Sequence, residues 1–289
     1  SEQLLQLGRT DFYFSDEDKR GYINRLDFKV DGTTANLEDH PQYIDVAKLI
    51  LPSPLPPGQT IKITTPFHEK IPFNFSRGGY VGHTYQITQW YPKPAVYDNK
   101  GWHPIPYLDQ GEFYSEFGNF RVQITVPESY VIAATGELQN EAEVKWLKEK
   151  ANEDTGRRVS VTNEKQSKAG IDSLSDKKKV KKRYQPTTNK KKNVVNKNPQ
   201  SSLASTTSNL LPPKTKTLTY IQNNIHDFAW FADKKFLVRY DTLKLTSGKI
   251  IDAWSFFTPS GLPVWKNSIQ FIKDAIRTRS KWLGEYPYN

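Results

Sequence analysis

The chain has 289 residues, with 41 Lys and Arg against 31 Asp and Glu, a formal net charge of +10, and neither Cys nor Met. The absence of Cys excludes disulfides and thiolate metal sites. The charge invites a nucleic-acid reading, but 19 basic and 6 acidic residues fall between Lys145 and Lys216, leaving 22 basic and 25 acidic elsewhere, so the basicity belongs to one segment.

From the N-terminus, residues 1–10 read as a short helix or as a lead without fixed structure, and from Asp11 onward the pattern is β. Leu26, Phe28 and Val30 alternate with charged residues, and Asp31-Gly32 is a strong hairpin signal. Ile61 and Ile63 alternate with Lys62 and Thr64 after Pro57-Gly58, and Asp98-Asn99-Lys100-Gly101 marks another turn. In Phe120-Arg121-Val122-Gln123-Ile124-Thr125-Val126 every second residue is apolar, which predicts a strand with one buried face.

From about Lys148 to Pro213 the composition changes. This stretch holds one aromatic, Tyr184, and the run DKKKVKKRYQPTTNKKK, followed by Ser, Thr and Asn. Such a chain cannot bury enough apolar surface to offset its conformational entropy. It is expected to be a disordered insertion between two strands, entered through a short helix around Asn140 to Lys150. A Lys-rich low-complexity run without a folded aromatic platform or a groove-entering helix predicts a solvated linker and no specific nucleic-acid partner.

Leu218, Tyr220, Phe236, Val238 and Tyr240 then mark strand faces, and Ser247-Gly248 divides a last hairpin, LKLTSGKIIDAWSFF. After Pro259 the period becomes helical. Trp265, Ile269, Ile272 and Ile276 fall on one helical face, and Gly284 and Pro287 stop the helix before Asn289. The expected fold is mainly β: an antiparallel β-sandwich or saddle-like sheet domain with a disordered insertion and a C-terminal helix. Its expected divisions are 1–147, the insertion 148–213, final strands 214–258, and a helix within 259–289. No apolar run is long enough for a membrane-spanning helix, and Ser1 opens no secretory signal.

Ordinary sheet construction does not account for Gln89-Trp90-Tyr91-Pro92, nor for Trp102-His103-Pro104 followed by Gly111-Glu112-Phe113-Tyr114. With His226-Asp227-Phe228-Ala229-Trp230-Phe231-Ala232-Asp233 and Gly284-Glu285-Tyr286-Pro287-Tyr288, these stretches resemble, in order and over roughly 210 residues, the N-terminal β-domain and first catalytic-domain helix of the aminopeptidase N-like zinc metallopeptidases, the gluzincin aminopeptidases, in a Bacteroidetes-like form. The resemblance implies peptide hydrolysis by zinc-activated water, a downstream catalytic domain as partner, and export from the cell.

The zinc motif of that family, His-Glu-x-x-His on a helix, is absent. The only His-Glu pair, His68-Glu69, continues Lys70-Ile71-Pro72 without a second His, and Pro72 opposes a helix there. This chain alone is therefore expected to hold no cofactor and to cleave nothing, with zinc expected in the catalytic domain. The five histidines, His40, His68, His83, His103 and His226, match no ligand spacing. His40 and His103 precede proline, as turn residues do.

The resemblance also implies that Gln89 lies at the substrate entrance, where an amide oxygen can accept hydrogen bonds from a peptide's α-ammonium group. Trp90 and Tyr91 would lie beside it. The family often places its contacting residue two positions after that glutamine, and here this is Tyr91. A polar sheet residue would leave the same trace at Gln89. Trp90, Tyr91, Trp102 and Tyr107 equally suit a core or a domain interface, and Glu112 and Glu116 lack an evident catalytic partner. The other functional reading is a stand-alone binding or scaffold module with the same β-domain and no peptidase activity.

Overall fold

The computed structural model describes residues 8, 10, 14–75, 77–106, 114–156 and 213–289. Its strands, in chain order, are β1 (Tyr22–Asn24), β2 (Lys29–Val30), β3 (Thr33–Thr34), β4 (Asn36–Asp39), β5 (Ala47–Ile50), β6 (Ile63–Thr64), β7 (His68–Lys70), β8 (Gly79–Val81), β9 (Thr84–Ile87), β10 (Val96–Asp98), β11 (Gly101–His103), β12 (Gly118–Pro127), β13 (Val131–Ala134), β14 (Glu137–Leu138), β15 (Thr215–Ile225), β16 (Trp230–Asp233), β17 (Leu237–Lys244) and β18 (Ile250–Phe257). The helices are α1 (Glu141–Gly156), α2 (Leu262–Trp265) and α3 (Ser268–Leu283). The described chain is thus mainly β, in several antiparallel sheets, with a C-terminal helix.

The turn residues set the hairpins. Asp31 (φ 48°) and Gly32 (φ 85°) both take the left-handed region, the backbone that a two-residue turn needs to match strand twist, and they join β2 to β3. Asp98 Oδ1 accepts the Lys100 N–H at 2.8 Å in the β10–β11 turn. Leu245 to Lys249 separates β17 from β18.

Two larger sheets build the main core. One has the order β12-β15-β14 and the other β13-β16-β9-β8. Alternation in β12 is real: Phe120, Val122, Ile124 and Val126 turn inward. Ile124 faces Leu218, and Val122 faces Tyr220, across the β12–β15 ladder. With Ile132, Ala232 and fully buried Phe228, they form one apolar cluster shared by both sheets. β15, on the far side of the insertion in sequence, pairs with β12 and β14. Ser1–Gly156 and Lys214–Asn289 accordingly form one compact unit.

The β17–β18 hairpin lies between two helices. Val238 and Tyr240, cross-strand from Phe256 and Trp254, present one face. Leu147 and Ala151 of α1 pack into that cluster. Leu243 and Ile251 present the other face, and Ile276 of α3 packs there. The alternation of side chains along a strand assigns one helix to each face.

Three sequence expectations change. Helix α1 continues through Gly156, well past Lys148, where disorder was expected to begin. Leu147, Ala151 and Asp154 are spaced at i, i+4 and i+7 and are all buried, a stripe that average hydrophobicity hides because one member is an acid. The remainder of the insertion, residues 157–212, lies outside the described residues. The last helix is also broken: Asn267 (φ −104°, ψ 14°) separates α2 from α3. Trp265 therefore does not share the α3 face. It is half-exposed, and its ring lies so close to Gly261 that a Cβ there would stand 2.9 Å from it. Finally, His103 sits in strand β11 and not in a turn.

Candidate functional site

Strand β9 ends at Ile87, and two residues later the backbone turns sharply. Gln89 has φ 53°, a left-handed conformation that costs a non-glycine residue roughly 1–3 kcal/mol and persists only where the surroundings enforce it. Two anchors do so on its C-terminal side. Trp90 Nε1 donates to the Phe228 carbonyl at 3.0 Å. Tyr91 Oη donates to Asp227 Oδ1 at 2.9 Å. The same Oδ1 accepts the Phe228 N–H at 2.9 Å, and Asp227 Oδ2 lies 3.2 Å from Lys93 Nζ.

Asp227 is thus a largely buried carboxylate satisfied by a phenol, an amide and an ammonium group. Burial, with the Asp227 charge second, pushes the Tyr91 phenol up, so it stays protonated and donates. Phe67 meets the Trp90 ring at 6.1 Å, and Phe120 meets Tyr91 at 6.1 Å.

The three predicted contact residues therefore differ. The polar atoms of Trp90 and Tyr91 are committed to the His226–Phe228 segment. Among the described residues nothing hydrogen-bonds the half-buried Gln89 amide. Lys93 and Asp227 were not picked out from sequence, although one acid directly before Phe-Ala-Trp-Phe-Ala signals a carboxylate that must find partners inside.

The other aromatic segment stands apart in character. Tyr97 and Trp102 face each other across β10–β11 with ring centroids 4.9 Å apart, and both are mostly exposed. Beneath them His103 Nε2 lies 2.8 Å from Asp98 Oδ1. That contact and the Lys100 N–H hold the Asp98 carboxyl below its usual range. Glu116 is exposed, while Tyr107 and Glu112 lie outside the described residues.

The zinc that the resemblance implies does not fit these residues. His68 and Glu69 are neighbours on strand β7 and point to opposite faces. His68 Nδ1 is engaged with Asn24 Oδ1 at 2.9 Å. His40 Nδ1 accepts the Gln42 and Tyr43 N–H groups at the β4–β5 turn, His226 packs on Phe117, and His83 is exposed. Among the described residues no three His, Asp or Glu side chains are grouped to hold a metal, and no helix is long and apolar enough to cross a membrane.

Glu69 has one consequence of its own. Burial alone pushes its carboxyl from 4.5 up to about 7. Between those values the folded chain holds a proton that the unfolded chain has lost, so stability falls as pH rises through this window. Below about 4.5 the penalty is absent, and above about 7 it is complete. Glu69→Gln is expected to flatten the decline in urea midpoint between pH 5 and 7, which a fluorescence titration series would read. An equal slope in both proteins would refute this.

No protein-family model matches the chain, and a search of curated proteins found no match. Among solved structures the chain is similar to a two-domain M1 zinc metallopeptidase mutant bound to L-arginine, at 14% identity and TM-score 0.46, covering 93% of this chain and 45% of that one. It is also similar to an M1 zinc metallopeptidase from Deinococcus radiodurans, at 16% identity and TM-score 0.45, covering 93% of this chain and 44% of that one. The chain spans less than half the length of either structure.

Proposed function

We propose that the chain is the N-terminal, non-catalytic β-domain portion of an aminopeptidase N-like zinc metallopeptidase, in the Bacteroidetes-like form that its motifs resemble. It packs on a downstream catalytic domain, closes one side of the peptide cleft, and reaches its site of action by export. In such a protein zinc, held by the catalytic domain, supplies the activated water. Gln89 offers its amide oxygen to the α-ammonium group of the peptide. Trp90 and Tyr91 hold the Gln89 backbone in place, through Phe228 and Asp227, and border the same entrance.

The observation that carries this reading is the joining of two separate stretches. Gln89-Trp90-Tyr91 and His226-Asp227-Phe228 each resemble the family on sequence, and they meet through the Trp90–Phe228 and Tyr91–Asp227 hydrogen bonds. A chance likeness gives no reason for stretches more than 130 residues apart to meet.

The reading frame beyond Asn289 is expected to encode His-Glu-x-x-His on a helix. The chain alone, given zinc and aminoacyl chromogenic substrates, should be silent, whereas the chain continued through that helix should give chelator-sensitive hydrolysis. In the longer protein Gln89→Ala should raise KM roughly tenfold with a smaller change in kcat, as loss of a charge-assisted hydrogen bond requires. A stop codon or an unrelated domain after Asn289 would overturn the proposal in favour of a stand-alone binding module. Hydrolysis by the chain alone would overturn its non-catalytic assignment.

A further inference from the structure

Helix α3 holds the β17–β18 hairpin through few apolar contacts. Ile276 packs against Leu243, Leu245 and Ile251, while Phe271, Trp282 and Leu283 of the same helix are mostly exposed. A 16-residue helix with so narrow a seam is marginal by itself. After Leu283, Gly284 (φ 99°) turns the chain back, and the five residues that follow it bind the β-domain at three separate places.

At the first place, Glu285 Oε2 accepts the Ser247 N–H at 2.9 Å, and Oε1 accepts the Ser247 hydroxyl. Lys249 Nζ, on the same hairpin turn, donates to the Pro287 carbonyl at 2.8 Å. At the second, Tyr288 Oη donates to the Asn224 carbonyl near the end of β15 at 2.8 Å. At the third, Asn289 Nδ2 donates to Glu137 Oε1 on β14 at 2.6 Å. The Tyr286 N–H returns to Ser280 Oγ of α3 at 3.2 Å, tying the segment to its own helix.

We propose that Gly284–Asn289 is a clasp that keeps α3 seated on the β17–β18 hairpin, with the Glu285 carboxylate as its catch. The catch is ionic. Both Glu285 oxygens act as acceptors from Ser247, which the deprotonated group does best. The Ser247 hydroxyl and N–H, the Thr246 N–H and the Lys249 charge hold Glu285 below the usual carboxylate range. Lys249 is the charged neighbour from the turn, Tyr286 and Tyr288 flank it on its own segment, and Glu137 lies at the far anchor, joined to Asn289. Because the folded carboxyl is depressed, the clasp is closed at neutral pH and opens as pH falls through the folded value. Opening frees α3 and uncovers the Leu243, Leu245 and Ile251 face.

Amide hydrogen exchange, normalised to intrinsic rates at each pH, tests this on the chain itself. In Glu285→Gln at pH 7, residues 268–289 are expected to exchange about tenfold faster than in the parent, while α1 is unchanged. Acid also weakens the Lys273–Asp241 ion pair between α3 and β17 in both proteins, so acidifying the parent should bring α3 toward the variant's rate, and the parent's acid response should exceed the variant's by the share that Glu285 carries. Ser247→Ala keeps the Glu285 charge and one of the two hydrogen bonds, and should give a smaller rise in the same residues. Unchanged α3 protection in both variants would overturn the clasp. Equal loosening of α1 and α3 would replace it with general destabilisation, and equal acid response in parent and variant would remove Glu285 as the catch.

Discussion

Replacing Phe228 with alanine is expected to remove about 3–5 kcal/mol of folding stability, the usual range for deleting a fully buried aromatic ring. Phe228 is 0% exposed. Its ring lies 6.2 Å from that of Phe120, in the cluster shared by the two larger sheets. Its backbone also carries both anchors of the Gln89 turn, since its carbonyl takes Trp90 Nε1 and its N–H caps Asp227. The cavity therefore opens beneath the candidate site as well as in the core. A urea titration followed by tryptophan fluorescence should show a large fall in midpoint, with Phe228→Leu losing much less because it restores most of the volume. A loss under about 1 kcal/mol for the alanine variant would mean that the two sheets do not share this core.

Asp154→Ala is expected to produce the other large loss, about 3 kcal/mol. Asp154 is nearly inaccessible, accepts the Val238 N–H at 2.9 Å, and lies 3.2 Å from Lys150 Nζ. Alanine leaves the buried Val238 N–H without an acceptor in the middle of the α1–hairpin contact. Asp154→Asn keeps an acceptor oxygen and should lose less than half as much. If both variants lose the same amount, the charge and not the backbone hydrogen bond is what matters. If neither destabilises, α1 does not hold the hairpin.

Much of this architecture could be read from local pattern because local chemistry dictates it. Asp31-Gly32 suits a left-handed two-residue turn, and alternation between Phe120 and Val126 leaves one face to bury. The expected β17–β18 hairpin also follows from its Ser247-Gly248 turn. What the sequence hid was long-range pairing. Nothing in α1 marks Asp154 as a buried acceptor until Val238 is brought against it from 84 residues away. The candidate site was legible in part for the same reason. Gln89, Trp90 and Tyr91 stand out as a motif, but Asp227 and Lys93 acquire meaning only when the two segments meet. The break at Asn267 was missed because Trp265 and Ile269 keep helical spacing across it, and periodicity does not register one non-helical residue.

The β12–β15 ladder also constrains how the chain can be made. Thr125 and Thr217 are side-chain partners 92 positions apart, and among the described residues β15 is the one strand that pairs with β12. During synthesis its pairing edge must wait until Lys214 and the strand after it have left the ribosome. At ordinary elongation rates the residues between Gly156 and Lys214 take roughly 3–12 s to make. Throughout that interval the nascent chain carries a ten-residue strand with an unpaired backbone, a template for pairing with a neighbouring chain. Shortening the insertion by half would remove roughly a third of the chain between Pro127 and Thr215, which changes the closure entropy by less than about 0.6 kcal/mol yet shortens the period of exposure by about a third. The length of that segment therefore acts more strongly on misassembly during translation than on the stability of the finished domain.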